Sequence, residues 1–222
     1  KMAPLILRLR QNLEVKVCVT GQHRQLLDQV LELFRIVPDF NLNLMKQNQK
    51  LDYLTGEVLS GVTRILQQEK FDWVLVQGDT TSTMAGAMAA FYQKIQIGHV
   101  EAGLRTFNLK DPFPEELNRQ ITSKMSTLHF APTEKSYQNL LNEGFPQETI
   151  HITGNTIIDA LQWVLKNVPE PEESLEFADT QQRMILVTGH RRENFGDGLI
   201  QICSALKKIA QQCPDIQIVY PV

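Results

Sequence analysis

The sequence predicts an α/β protein built on parallel sheet, and three observations carry that expectation. Strand-like and helix-like stretches alternate along the chain. The strand candidates are short unbroken apolar runs, and polar, mostly glycine-containing turns follow them. Unbroken apolar strands are buried on both faces, and helices between them imply crossovers that join parallel strands.

Taken in order, KMAPLILRLR reads as a helix already under way at Lys1. Residues 15–20 (VKVCVT) are β-rich, residues 25–34 carry apolar side chains at helical spacing, and residues 51–68 are again helical. WVLV at 73–76 is a short buried strand, followed by QGDTTST and a small-residue helix over 83–94. Further strands are expected at 97–100, 128–131, 150–153, 184–188 and 216–220, with helices at 115–124, 133–143, 156–166 and 199–212. Residues 168–182 (VPEPEESLEFADTQQ) are acidic, hold two prolines and lack a clear period, so they read as a linker. It divides a domain over 1–167 from the opening of a second over 183–222.

The 222 residues suffice for one large or two modest cores. An apolar share of 42% and a charged share of 21% are those of a soluble globular protein. A net charge of −3 argues against nucleic acid or an acidic membrane as partner, though not against a local basic pocket. Cys18, Cys203 and Cys213 form no CxxC pair, which fits reduced thiols in a cytoplasmic protein better than a disulfide framework or zinc site. No apolar run has the length of a membrane span, and the start lacks a signal-peptide core. The first residue is lysine and the last ones read as a strand with nothing after it, so both ends look cut.

In a doubly wound sheet ligands bind outside the carboxyl ends of the strands. The turns there are Gly21-Gln22-His23-Arg24-Gln25, Gln77-Gly78-Asp79-Thr80-Thr81, Glu101-Ala102-Gly103-Leu104-Arg105, Gly154-Asn155-Thr156 and GHRRENFG from Gly189. Each has a plain structural reading. Asp79 and Asn155 suit helix N-caps. Pro114-Glu115-Glu116 suits a helix start, where proline and acids match the free N–H groups and the dipole. His99, His129 and His151 lie inside apolar strands as core histidines, whereas glycine turns set His23 and His190 at strand ends beside arginines.

Together the turns read differently. Asp79 and Glu101 follow separate strands toward one cleft, and a loop with Pro112 and Pro114 returns Glu115 to it. Three carboxylates in one pocket repel one another and raise at least one pKa, which suits acid–base work. His190, Arg191 and Arg192 near a helix start suit a phosphate. Acids facing cations fit a sugar nucleotide; a magnesium site is the chemical rival, without a DxD spacing to support it.

With those residues in hand, the chain resembles the bacterial non-hydrolysing UDP-N-acetylglucosamine 2-epimerases. The matching stretches include KMAPL, VCVTGQHRQLLDQVLELFRIVPDFNLNLM, QGDTTST, GHVEAGLRT, PFPEELNRQ, HITGNTIIDAL, MILVTGHRRENFG and IQIVYPV, from end to end. The resemblance implies a GT-B-like fold of two Rossmann-like domains, the first lacking its first strand and the second only partly present. It implies inversion at C2 of the sugar, interconverting UDP-GlcNAc and UDP-ManNAc by elimination and re-addition of UDP through 2-acetamidoglucal, with no metal or nicotinamide cofactor. The carboxylates it implies are Asp79, Glu101 and Glu115, with the base among them left open; His190 and Lys1 match UDP-side residues. It further implies a second, activating UDP-GlcNAc site at Gln22, Gln25, Gln49, Glu115 and Arg191, with Asn48 standing where an arginine is frequent. A homodimer is expected, in cell-surface polysaccharide biosynthesis.

The family's opening strand and GTRPE loop are not in this sequence, nor is most of its second domain. The expectation is therefore a fragment that folds poorly or is inactive alone, since losing a central strand unpairs buried backbone groups. A hydrolysing epimerase releasing ManNAc and a catalytically dead sugar-nucleotide-binding module are the alternatives.

Overall fold

The structure, a computed structural model, describes residues 1–21, 24–44, 49–169, 182–188 and 197–220. Its contacts divide the chain into two units, Lys1–Val168 and Pro169–Val222.

In the first unit the order is α1 (Met2–Leu9), β1 (Cys18–Val19), α2 (Arg24–Leu33), β2 (Phe40–Asn41), α3 (Leu51–Gln68), β3 (Trp73–Gln77), α4 (Thr81–Tyr92), β4 (Gln96–Val100), α5 (Glu115–Met125), β5 (Leu128–Ala131), α6 (Glu134–Asn142), β6 (Ile150–Ile152) and α7 (Thr156–Asn167). Strands β3-β4-β5-β6 form one parallel sheet in that order, so their carboxyl ends share one edge. The second unit holds β7 (Arg183–Leu186), α8 (Asp197–Gln212) and β8 (Ile216–Val219), with β7 and β8 parallel and Arg183 paired to Asp215 at 2.6 Å. The acidic stretch expected as a linker lies almost wholly outside the described residues. Among the described residues no helix is long and apolar enough to cross a membrane.

The first unit departs from a single doubly wound sheet. Its β1 pairs in parallel with β2, Cys18 opposite Phe40, in a sheet of their own. The expected strand over 15–20 shrinks to two residues, and β2, also two residues, carries no periodic signal that a sequence could show. What holds this ladder is partly a side chain: Asp39 Oδ2 accepts from the Val17 N–H at 2.7 Å. Ala3, Val17, Val19, Phe34, Ile36 and Ala160 close the core beneath it.

Helix α4 explains the small-residue run. Ala85, Ala87, Ala89 and Ala90 are fully buried, and the missing bulk lets α4 lie close against α3 through Leu54 and Val58 and against the sheet through Val76 and Ile97. Thr80 caps α4 by accepting from the Thr83 N–H, and Thr133 and Asn155 do the same for α6 and α7.

Two of the three strand histidines are buried. His99 and His129 lie opposite each other on β4 and β5, both out of solvent. His99 Nε2 donates to the Gly78 carbonyl oxygen at 2.8 Å, and burial pushes both imidazoles down to about 4. His151 is the correction: it is exposed, because β6 is the edge strand of its sheet and only Ile150 of that strand turns into the core.

Candidate active site

At the shared carboxyl edge, β3 ends on Gln77 and turns through Gly78, whose φ of 76° places it in the left-handed region. Thr80, not Asp79, caps the following helix, which frees the Asp79 side chain from the capping role that sequence position allows it. Asn118 of α5 fixes the turn by donating from Nδ2 to the Asp79 carbonyl oxygen at 2.9 Å.

Glu101 follows β4 directly and adopts a φ of 65°, a conformation that costs a non-glycine residue energy and needs surrounding contacts to hold it. Those contacts converge on its carboxylate. Lys1 Nζ lies 2.7 and 2.8 Å from its two oxygens, the Gln77 side-chain amide donates to Oε2, and Asn155 Nδ2 reaches Oε1 at 3.4 Å. Asn155 thus does two things, since its Oδ1 also accepts from the Ile157 N–H. Lys1, matched by sequence to the UDP side, here neutralises Glu101.

The loop after Glu101 is bolted down from behind. Gly103 has a φ of 86°, and a Cβ there would stand 2.2 Å from the Ser136 carbonyl oxygen. The Arg105 side chain is wholly buried and bridges Glu143 at 2.5 and 3.0 Å, the Leu104 carbonyl at 2.8 Å and Ser123 Oγ at 3.2 Å.

Glu115 and Glu116 open α5 and diverge at once. Glu115 is half-buried and near enough to Asp79 to raise its pKa. Glu116 is fully buried and accepts from Thr106 N–H at 3.0 Å, Phe107 N–H at 3.1 Å, Gln120 Nε2 at 2.8 Å and Arg119 Nε at 2.7 Å. Burial opposes its ionisation, but the Thr106 N–H, Gln120 and Arg119 outweigh that and hold it below the usual carboxylate range. Glu116 does stand in the first turn of α5, as a helix-start acid should, and it does more than match the dipole. It anchors the loop.

Asp79 Oδ2 lies 3.2 Å from Arg119 Nη1. Its carboxyl is nonetheless held above the ordinary value: burial is the largest cause, Arg119 opposes it, and Glu115 and Glu101 add to it, with Lys1 opposing more weakly. The structure thus brings Asp79, Glu101, Glu115 and Lys1 into one electrostatic cluster. Gln49 is half-buried and its side-chain amide donates to the Leu44 carbonyl. Gln22, His23, Asn48, His190 and Arg191 lie outside the described residues, and Gln25 is described only as part of α2. Among the described residues no three His, Cys, Asp or Glu side chains form a metal-ligand set.

Sequence reasoning missed four groups: Gln77 and Asn155 as donors to Glu101, and Asn118 and Arg119 as holders of the Asp79 turn. The spacing of Glu116 and Arg119, three apart on a helix, was the one available signal.

Residues 6–222 match the family model described as UDP-N-acetylglucosamine 2-epimerase. The chain belongs to this family. The UDP-N-acetylglucosamine 2-epimerase of Yersinia pestis is 52% identical over 231 residues, covering 100% of this chain and 61% of that relative. The crystal structure of the Neisseria meningitidis UDP-GlcNAc 2-epimerase bound to UDP-GlcNAc has a TM-score of 0.94 at 48% identity, covering 100% of this chain and 62% of its own. That of the Methanocaldococcus jannaschii UDP-GlcNAc 2-epimerase with UDP-GlcNAc and UDP has a TM-score of 0.83 at 34% identity, with 100% and 62% covered. The chain therefore spans about 61% of the length of the curated relatives it matches. Its fold is the GT-B-like α/β class of these epimerases, with parallel sheets.

Proposed function

We propose that this site performs the acid–base steps of a UDP-GlcNAc 2-epimerase, interconverting UDP-GlcNAc and UDP-ManNAc. One carboxylate takes the C2 proton, the C1–O bond to the diphosphate breaks with its electron pair, and a C1–C2 double bond forms, giving 2-acetamidoglucal and UDP. A proton then returns to the opposite face of C2 while a UDP oxygen re-forms the bond to C1.

The observation that carries this reading is the convergence of Asp79, Glu101 and Glu115 from three separate elements, with Asp79 pushed toward its protonated form. Inversion needs a group to accept a proton on one face and another to give one on the other, so several carboxyl groups gathered in one pocket suit it. Glu101, fed by Lys1, Gln77 and Asn155, is held rigidly in place for such work. The relatives crystallised with UDP-GlcNAc or UDP support a UDP-sugar as partner. In this reading His190 and Lys1 serve the UDP side, no metal or nicotinamide takes part, and the enzyme works as a cytoplasmic homodimer. Gln22, Gln25, Gln49, Glu115 and Arg191 form the activating UDP-GlcNAc site.

Incubation with UDP-GlcNAc in deuterated water, followed by proton NMR, tests the reading. The expected result is deuterium at C2 and the appearance of UDP-ManNAc without stoichiometric free UDP. Stoichiometric UDP with free ManNAc identifies a hydrolysing enzyme, and saturable binding without exchange identifies a binding module.

A further inference from the structure

The three-carboxylate chemistry makes no use of Arg119, whose side chain is 9% exposed. Its Nε donates to Glu116 Oε2 at 2.7 Å and its Nη1 to Asp79 Oδ2 at 3.2 Å, while Nη2 is buried without a partner among the described residues. One planar guanidinium therefore spans two carboxylates of opposite kind. Glu116 is sealed in the core and tied to the backbone of Thr106 and Phe107, in the loop that leaves Glu101. Asp79 faces the site with its carboxyl 29% exposed. The neighbouring Asn118 holds the Asp79 backbone as Arg119 holds its side chain, so α5 grips that turn twice.

We propose that Arg119 is a positioning residue: it holds the Asp79 carboxylate in its working orientation, and Glu116 fixes Arg119 in place. The inference rests on the epimerase reading only for what Asp79 does once held. Among the described residues the charged groups facing Asp79 are Arg119 and Glu115 from α5, Glu101 from the end of β4, and Lys1. Arg119 is the strongest of the charges acting on it, and the only one hydrogen-bonded to it among the described residues. A lysine cannot replace it, because a point charge on a flexible stem can meet Glu116 or Asp79 but not both in a fixed fork.

The test follows the Asp79 carboxyl itself. In the intact protein labelled with carbon-13 aspartate, with Asp79→Asn assigning the signal, its titration is compared in wild type, Arg119→Lys and the doubly neutral Glu116→Gln/Arg119→Gln. The double variant leaves no unpaired buried charge, and Arg119→Lys decides the matter if the double variant fails to fold. Expected is an Asp79 titration displaced to higher pH in both. The kcat for epimerisation should fall about ten-fold with KM changed less than about two-fold, and its pH profile should move to higher pH together with the Asp79 titration. An unmoved Asp79 titration in a folded variant overturns the proposal, as does full wild-type behaviour of Arg119→Lys. A displaced titration in a protein that shows no C2 exchange leaves the positioning role standing and removes the epimerase reading.

Discussion

The Gln77 side-chain amide donates to the Glu101 carboxylate across the ends of β3 and β4, where Gln77 and Val100 are register partners. The last residue of one strand thus sets the first residue beyond the next. Glu101 needs such help, since its left-handed backbone is unfavourable without surrounding contacts.

Removing that donor should cost turnover more than binding. A hydrogen bond to a charged group contributes about 1.5–3 kcal/mol, so Gln77→Ala should lower kcat for epimerisation about ten- to hundred-fold. Steady-state kinetics with a thermal melt separates this from unfolding: the expected Tm stays within a few degrees of wild type.

The adjacent acids Glu115 and Glu116 should fail in opposite ways. Glu115→Gln should abolish C2 exchange and leave the urea midpoint nearly unchanged. Glu116→Gln leaves the buried Arg119 guanidinium short of its partner and should destabilise the fold by about 3–5 kcal/mol in urea unfolding. Full wild-type stability in Glu116→Gln would contradict the anchoring role.

Gly103 admits no side chain. Gly103→Ala forces a left-handed alanine and drives a Cβ to 2.2 Å from the Ser136 carbonyl, so the backbone of α6 must move. The expected loss is about 2–4 kcal/mol, read from denaturant unfolding, with C2 exchange falling in the fraction that stays folded.

The buried histidine pair makes the fold acid-sensitive. Both imidazoles titrate at about 4 in the folded protein, below the unfolded value of 6.5. Between those values the unfolded chain binds protons that the folded one refuses, so stability falls as pH drops from about 6.5 to about 4 and levels below it. His99→Gln, which keeps a donor for Gly78, should remove about half of that slope in Tm measured against pH. A Tm independent of pH across the window in wild type would contradict the neutral buried pair.

Local chemistry made much of this legible in advance. Helix α3 runs from Leu51 to Gln68 and β5 from Leu128 to Ala131, as their apolar patterns predict, because an amphipathic period or a buried run is visible within a dozen residues. The turns holding Asp79 and Glu101 were equally readable, since glycine and polar residues break an apolar strand wherever it ends. Residues of a strand or turn separated widely in sequence were not. The β1–β2 pair leaves no period, and His151 looked like His99 until the sheet order made β6 an edge.

By itself, then, the sequence determined the alternation of strands and helices, the carboxylates at the strand ends, and the resemblance to the epimerases. The tertiary structure decided where each acid lies. Glu115 and Glu116 are adjacent in a helix, so their side chains point about 100° apart around its axis, and only the packing of α5 tells which faces Asp79 and which enters the core. Likewise Lys1, Gln77 and Asn155 are strangers in sequence, and they meet on Glu101 because parallel pairing brings the ends of their strands and helices to one edge.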